Sequence, residues 1–214
     1  MPLIALDQEI RFPPAEMADV DGLLAIGGDL SRERLLHAYQ NGIFPWYEND
    51  YILWWCPDPR FVLFPQELKI SSSMKQLLKK SPFEFSIDRD FTSVISQCKT
   101  ISRRGQAGTW ITAEMVNAYN DLHRAGYAHS AEVRLAGELV GGLYGVRLGK
   151  IFFGESMFSC YSNASKYAFI KYVEHLKTEG VELIDCQVYT AHLETLGARM
   201  IPRSTFLSRV RTLL

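Results

Sequence analysis

A carboxylate and an amide stand two residues apart in VELIDCQ, residues 181–187. If this run is a strand, alternate side chains share a face, so Val181, Leu183, Asp185 and Gln187 point one way. Asp185 and Gln187 then lie roughly 6.5–7 Å apart along it. An acid and an amide closing an apolar run are expensive unless they are paired or used. They could orient a reacting group, or simply mark the solvent end of the strand; the residues alone leave both open. Cys186, of opposite parity, reads as a small packed thiol rather than a nucleophile, despite His192 downstream.

A second acid, Glu155, sits in IFFGESMF among Ile151, Phe152, Phe153, Met157 and Phe158. A carboxylate walled by aromatic rings suits a cation; the alternative is an ordinary acid on a sheet edge. Ideal alternation groups Glu155 with Phe153 and Met157, unless Gly154 bulges the strand. Phe152, Phe153, Met157, Phe169 and Ile184 together could wall a pocket for an apolar group. Tryptophans form a third cluster: Trp46 in FPWY, Trp54 and Trp55 in ILWWCPDPR, with Trp110 in GTWIT. Aromatic faces beside basic side chains are what unpaired nucleic-acid ends stack on. They are equally what stitches a small domain to a larger one.

These residues need elements to hold them. The first ~65 positions are rich in turn signals, from Pro13-Pro14 and Gly27-Gly28 to Pro57 and Pro59, with one helix capped by Ser31 and ended by Asn41-Gly42. That predicts a small, loop-rich N-terminal domain over 1–65. Beyond it, helices are expected after Ser71 or Ser72, after Asp90 and after Thr112, with a strand at 83–87. Strands follow at 129–135, 138–146 and 150–158, a long helix at 163–178, a strand at 181–188, and helices at 190–196 and 204–213. The order predicts an α/β sandwich around a mostly antiparallel sheet, over 66–214.

Composition narrows the class. Hydrophobic residues are 47% of the 214 and charged residues 22%, which predicts a packed core in water. MPLIALDQEI has no basic start, so no secretory signal is expected, and no window approaches a membrane span. Cys56, Cys98, Cys160 and Cys186 are scattered, and the five histidines show no ligand spacing, so reduced thiols and no metal are expected. The net charge of −1 hides an uneven distribution: residues 1–50 carry nine acids against three basic groups. Residues 66–105 carry eight basic groups (Lys69, Lys75, Lys79, Lys80, Arg89, Lys99, Arg103 and Arg104) against four acids, and 196–214 carry four arginines and no acid. A phosphate backbone responds to such patches, not to the total. Lys75, Lys79, Lys80, Arg103 and Arg104 are the candidate phosphate contacts.

Taken in order, GGDLSRERLLHAYQNGIFPWY, WWCPDPR, GTWIT, HSAEV, GGLYGV, FFGESMFS with NASK, LIDCQV and HLETLGARMIPR resemble the bacterial leucyl/phenylalanyl-tRNA–protein transferase family across nearly the whole chain. The resemblance implies a cytoplasmic enzyme with a GNAT-like C-terminal domain and no cofactor. It implies transfer of Leu or Phe, less readily Met, from aminoacyl-tRNA to the free α-amine of proteins beginning with Arg or Lys, which marks them for degradation. The implied partners are therefore Leu-tRNA, Phe-tRNA and those acceptor proteins, with no membrane and a monomeric chain. By the same resemblance Asp185 and Gln187 take the catalytic positions and Glu155 holds the acceptor's basic residue. Phe152 and Ile184 match the aminoacyl pocket; Leu143, Phe169 and Tyr172 fall there by chemical similarity. Trp46, Trp54, Trp55 and Trp110 are assigned with the basic groups to the tRNA.

Two other readings are separable. An acyl-CoA transferase usually carries R/Q-x-x-G-x-G/A at the start of a helix, to cradle a pyrophosphate. The nearest match runs from Arg134 through Gly137 to Leu139, with the wrong last residue and in a hairpin. A non-catalytic tRNA- or peptide-binding module would use Asp185, Gln187 and Glu155 for binding only.

Overall fold

The computed structural model describes residues 3–48, 51–101 and 111–214. In chain order the elements are β1 (Ile4–Leu6), β2 (Leu23–Gly27), α1 (Arg32–Gln40), β3 (Phe44–Pro45), β4 (Leu53–Trp55), β5 (Arg60–Leu63), α2 (Ser72–Lys80), β6 (Glu84–Ile87) and α3 (Phe91–Thr100). Then follow α4 (Ala113–Arg124), β7 (Ala128–Leu135), β8 (Glu138–Leu148), β9 (Ile151–Ser159), α5 (Ala164–Thr178), β10 (Leu183–Gln187), α6 (Ala191–Glu194), β11 (Arg199–Ile201) and α7 (Arg203–Leu213).

The helices start where short polar side chains can accept a free N–H of the first turn. Ser31, Ser71, Asp90 and Thr112 each accept from the residue three positions on, and so cap α1, α2, α3 and α4. The strands sort into two sheets. A small one has the order β1-β2-β4-β3, and a seven-stranded one has β11-β5-β10-β9-β8-β7-β6. Within the large sheet only β9 and β10 run parallel; the other pairs are antiparallel. This is the α/β arrangement expected, a mostly antiparallel sheet flanked by helices with a small N-terminal unit.

Two differences matter. The N-terminal stretch is not only loops: its short strands form a sheet, which turn signals alone concealed. And β5, before residue 65, pairs with β10 and β11 of the large sheet rather than with the small one. The sheets therefore divide between β4 and β5, earlier than the boundary expected at 65.

One face of the large sheet packs on α5 with Met74 of α2 and Leu193 of α6. The other face shares a core with α3, α4, α7 and the N-terminal unit, where Leu35, Tyr39 and Trp54 meet Tyr144, Phe153 and Phe206. The N-terminal unit is thus packed onto the sheet's second face. Among the described residues no helix is long and apolar enough to cross a membrane.

Candidate active site

Parallel pairing of β9 with β10 ends at Asp185 opposite Phe153. Beyond that point both strands bulge. On β9, Tyr144 of β8 opposes Ser156 while Gly145 opposes Gly154, so Glu155 is an extra residue without a partner. Gly145 is required there: a Cβ on it would sit 2.2 Å from the Phe153 carbonyl oxygen. On β10, Asp185 opposes Val62 and Gln187 opposes Phe61, leaving Cys186 extra. Gln187 takes a left-handed conformation, φ 63°, which a residue with a Cβ adopts at a cost of about 1–2 kcal/mol. Its backbone N–H donates to Asp185 Oδ1 at 2.9 Å and holds that turn in place.

The bulges open a cavity of about 670 Å³ between the two strands. Leu143, Phe152, Met157, Phe169 and Ile184 line it on the apolar side, with Glu155, Asp185, Cys186 and Gln187 at the two bulges. Phe44, Pro45 and Trp46 reach it from the N-terminal unit. His192 also lines it, and burial pushes its imidazole below the usual histidine range.

Asp185 is fully buried and does not stand free. Arg60 of β5 meets it with two parallel bonds, Nε to Oδ1 at 2.8 Å and Nη2 to Oδ2 at 2.6 Å. The guanidinium lies between Phe44 and Phe206, 4.7 and 4.4 Å from their ring centroids. Glu155 is 8% exposed and, among the described residues, has neutral donors alone. Tyr39 of α1 and Gln187 Nε2 each donate to its Oε1 at 2.8 Å, and Tyr119 of α4 donates to Oε2 at 3.0 Å. Burial pushes its carboxyl up to about 7, against the pull of those three bonds. A carboxylate offers about four acceptor positions. Three are used, and the fourth, on Oε2, is open. Nothing among the described residues donates to the Gln187 amide oxygen, which leaves it for a bound group.

The sequence-derived candidates separate accordingly. Phe152, Leu143, Met157, Phe169 and Ile184 meet in the cavity. Phe153 does not: it lies on the opposite face, its ring 5.1 Å from that of Tyr39, because adjacent strand residues point apart. Met157 parts from Glu155 and Phe153 because the bulge inverts the alternation after residue 155. Tyr172 stands behind the wall, edge-on to Phe152 at 5.1 Å. Trp46 reaches the cavity, and Trp55 braces it through an indole N–H to the Trp46 carbonyl at 2.6 Å. Trp54 is fully buried, bonded to the Gly27 carbonyl, and can meet no nucleic acid as it stands. Lys75, Lys79 and Lys80 are exposed along α2. Trp110, Arg103 and Arg104 lie outside the described residues. Of the four C-terminal arginines, Arg199 pairs with Glu67 and Arg211 with Glu16, so half of that basic stretch is answered within the molecule. Among the described residues no group of His, Cys, Asp or Glu could hold a metal ion.

Three residues of the site went unread in the sequence: Arg60, Tyr39 and Tyr119. Tyr39 and Tyr119 sit at helical spacing in apolar stripes and pass for packing. The available signal was the hydroxyl, since a buried tyrosine usually finds a partner for it.

The model of the leucyl/phenylalanyl-tRNA protein transferase family matches residues 62–211, and that of the family's N-terminal domain matches residues 28–58. The leucyl/phenylalanyl-tRNA–protein transferase of Syntrophus aciditrophicus is 58% identical over 212 residues, covering 99% of this chain and 89% of that protein. Its counterpart in Syntrophobacter fumaroxidans is 56% identical over 209 residues, covering 97% and 89%. Among solved structures, FemX superposes with a TM-score of 0.55 at 10% identity, over 80% of this chain and 66% of FemX, a likeness of fold.

Proposed function

Because the chain belongs to the leucyl/phenylalanyl-tRNA protein transferase family and is an aminoacyltransferase, we propose that it moves Leu or Phe, less readily Met, from aminoacyl-tRNA onto proteins beginning with Arg or Lys, and so marks them for degradation. The observation that carries this reading is the pairing, in one cavity, of an apolar wall with a single incompletely satisfied carboxylate. The wall of Leu143, Phe152, Met157, Phe169 and Ile184 takes the donor side chain. A charged donor would be desolvated there without a partner, and Met differs from Leu by only about 1–3 kcal/mol in such a pocket.

Glu155 takes the cation of the acceptor, since Asp185 is already saturated by Arg60. The acceptor amine attacks the ester carbonyl carbon; the C–N bond forms and the bond to the tRNA ribose oxygen breaks. The proton leaving the amine ends on that oxygen, by way of the Gln187 amide oxygen or the neighbouring ribose hydroxyl. Gln187 is fixed at both ends for this task, its backbone by Asp185 and its side chain by Glu155. Positioning of this kind can supply on the order of 7–11 kcal/mol toward a reaction whose ester is already activated. Trp46, braced by Trp55, offers a face for the tRNA end at the rim.

The test is a ratio: transfer from Leu-tRNA to an Arg-started peptide over an Ala-started one. Glu155→Gln keeps the shape and lowers the ratio by roughly tenfold to a hundredfold, equivalent to ~1.5–3 kcal/mol. An unchanged ratio removes Glu155 from acceptor choice.

A further inference from the structure

The Tyr39 and Tyr119 hydroxyls close a ring with the Glu155 carboxylate through three contacts. Tyr39 Oη contacts Glu155 Oε1, Tyr119 Oη contacts Glu155 Oε2, and the two tyrosine oxygens contact each other. Each contact is a hydrogen bond only if one proton lies in it. Burial and the neighbouring carboxylate raise both phenols well above their ordinary value, so each tyrosine brings one proton. Two protons cannot fill three contacts. With Glu155 ionised, one pair of oxygens faces each other with lone pairs alone, at two tyrosines that are fully buried. With Glu155 protonated the count closes: Glu155 donates to Tyr119, Tyr119 to Tyr39, and Tyr39 back to Glu155, while Gln187 Nε2 still donates to Oε1.

We propose that Tyr39, Tyr119 and Glu155 form a three-proton ring in the empty site, and that a cationic acceptor enters by displacing the third proton. The exchange conserves charge at the site: an N–H donor of the cation arrives and one proton leaves for solvent. Tyr39 and Tyr119 are positioning residues, acting on the acceptor through Glu155. One of them belongs to the N-terminal unit and the other to the helical layer over the large sheet, so the ring exists only when the two are docked. Among the described residues the other ionisable groups facing it are Asp185 on β10, paired with Arg60 on β5, and Tyr144 on β8, which lies edge-on to Tyr119. Asp185 adds to the upward push that burial gives the Glu155 carboxyl. The displacement half of the proposal rests on the reading of Glu155 as the acceptor's partner; the ring itself does not.

Difference infrared spectroscopy on the full chain without substrates tests the ring directly. The carbonyl stretch of a protonated carboxylic acid is expected a pH unit below the Glu155 midpoint of about 7, and is absent from Glu155→Gln. Its absence from the wild type overturns the proposal. The tyrosines then give opposite signs. In the ring, Tyr39→Phe removes two bonds from the protonated form and only one from the ionised form, so the midpoint falls. If Tyr39 merely donates to a carboxylate, its loss raises the midpoint, and that result also overturns the ring. Tyr119→Phe repeats the measurement should Tyr39→Phe fail to fold. Finally, an Arg-started peptide without tRNA should abolish the band, and its affinity should fall about tenfold per pH unit below the midpoint. A band that survives saturating peptide refutes displacement and the acceptor role of Glu155 together, and leaves the ring standing.

Discussion

Asp185 and Glu155 are two buried carboxylates at the bulges of neighbouring strands, and they are treated in opposite ways. Asp185 has a permanent cation, gripped by two bonds and sandwiched between two rings. Glu155 has a cavity on one side and only neutral donors on the other. Burial alone therefore does not separate a structural acid from a working one. What separates them is whether the charge is already answered inside the protein. The answered acid shapes the backbone at Gln187, and the unanswered one borders the cavity.

The largest effect expected from breaking this contrast comes from Arg60. Arg60→Met leaves Asp185 buried without a partner and is expected to cost about 3–5 kcal/mol in chemical unfolding. Replacing both members, as Arg60→Met with Asp185→Leu, should recover much of that loss while activity stays absent. A single Arg60→Met variant as stable as wild type would mean that the pair is not closed.

Glu155 should show a smaller and opposite behaviour. Its carboxyl is raised from 4.5 to about 7, so the folded chain binds the extra proton between those values. Its contribution is fully present below the unfolded value and is lost as pH rises through the folded one, by up to about 3 kcal/mol. Glu155→Gln should flatten the stability profile across that window and leave the variant the more stable above it. Parallel profiles would place Glu155 with Asp185 as an answered charge.

Smallest are the exposed lysines of α2, which no acid among the described residues pairs. Changing Lys75, Lys79 and Lys80 to Gln should leave unfolding within about 0.5 kcal/mol of wild type. It should reduce the salt dependence of aminoacyl-tRNA binding by up to about 0.9 in log–log slope for each phosphate that one of these lysines neutralises. An unaltered slope would take α2 out of the tRNA interface.

The same contrast explains what could be read from the chain. Ser31, Ser71, Asp90 and Thr112 each declare a helix start within four residues, so the helices were legible. Glu155, Asp185 and Gln187 were legible because polar groups in apolar runs are conspicuous. Their partners were not. Arg60 is 125 residues from Asp185, and Tyr39 is 116 from Glu155. Nothing local in CPDPR or in LLHAYQ announces a contact at that distance. The strands of the small sheet were hidden for a related reason: they are two to five residues long and owe their existence to neighbours rather than to a repeating pattern. Phe153 was misplaced because its neighbours are all apolar, and only the sheet decides which face is the pocket.

The place of β5 in the large sheet bears on how the chain is made. The strand leaves the ribosome early, yet both of its neighbours, β10 and β11, come from the last stretch of the chain, Leu183 to Ile201. Until those residues are synthesised, β5 has no partner on either edge and Arg60 stays solvated. Such distant pairings close slowly, since the intervening chain must be ordered before they are rewarded. The apolar run Phe61, Val62 and Leu63 therefore lacks its sheet neighbours until residues 183–201 have been made, and the pocket flanked by β9 and β10 can close only after that.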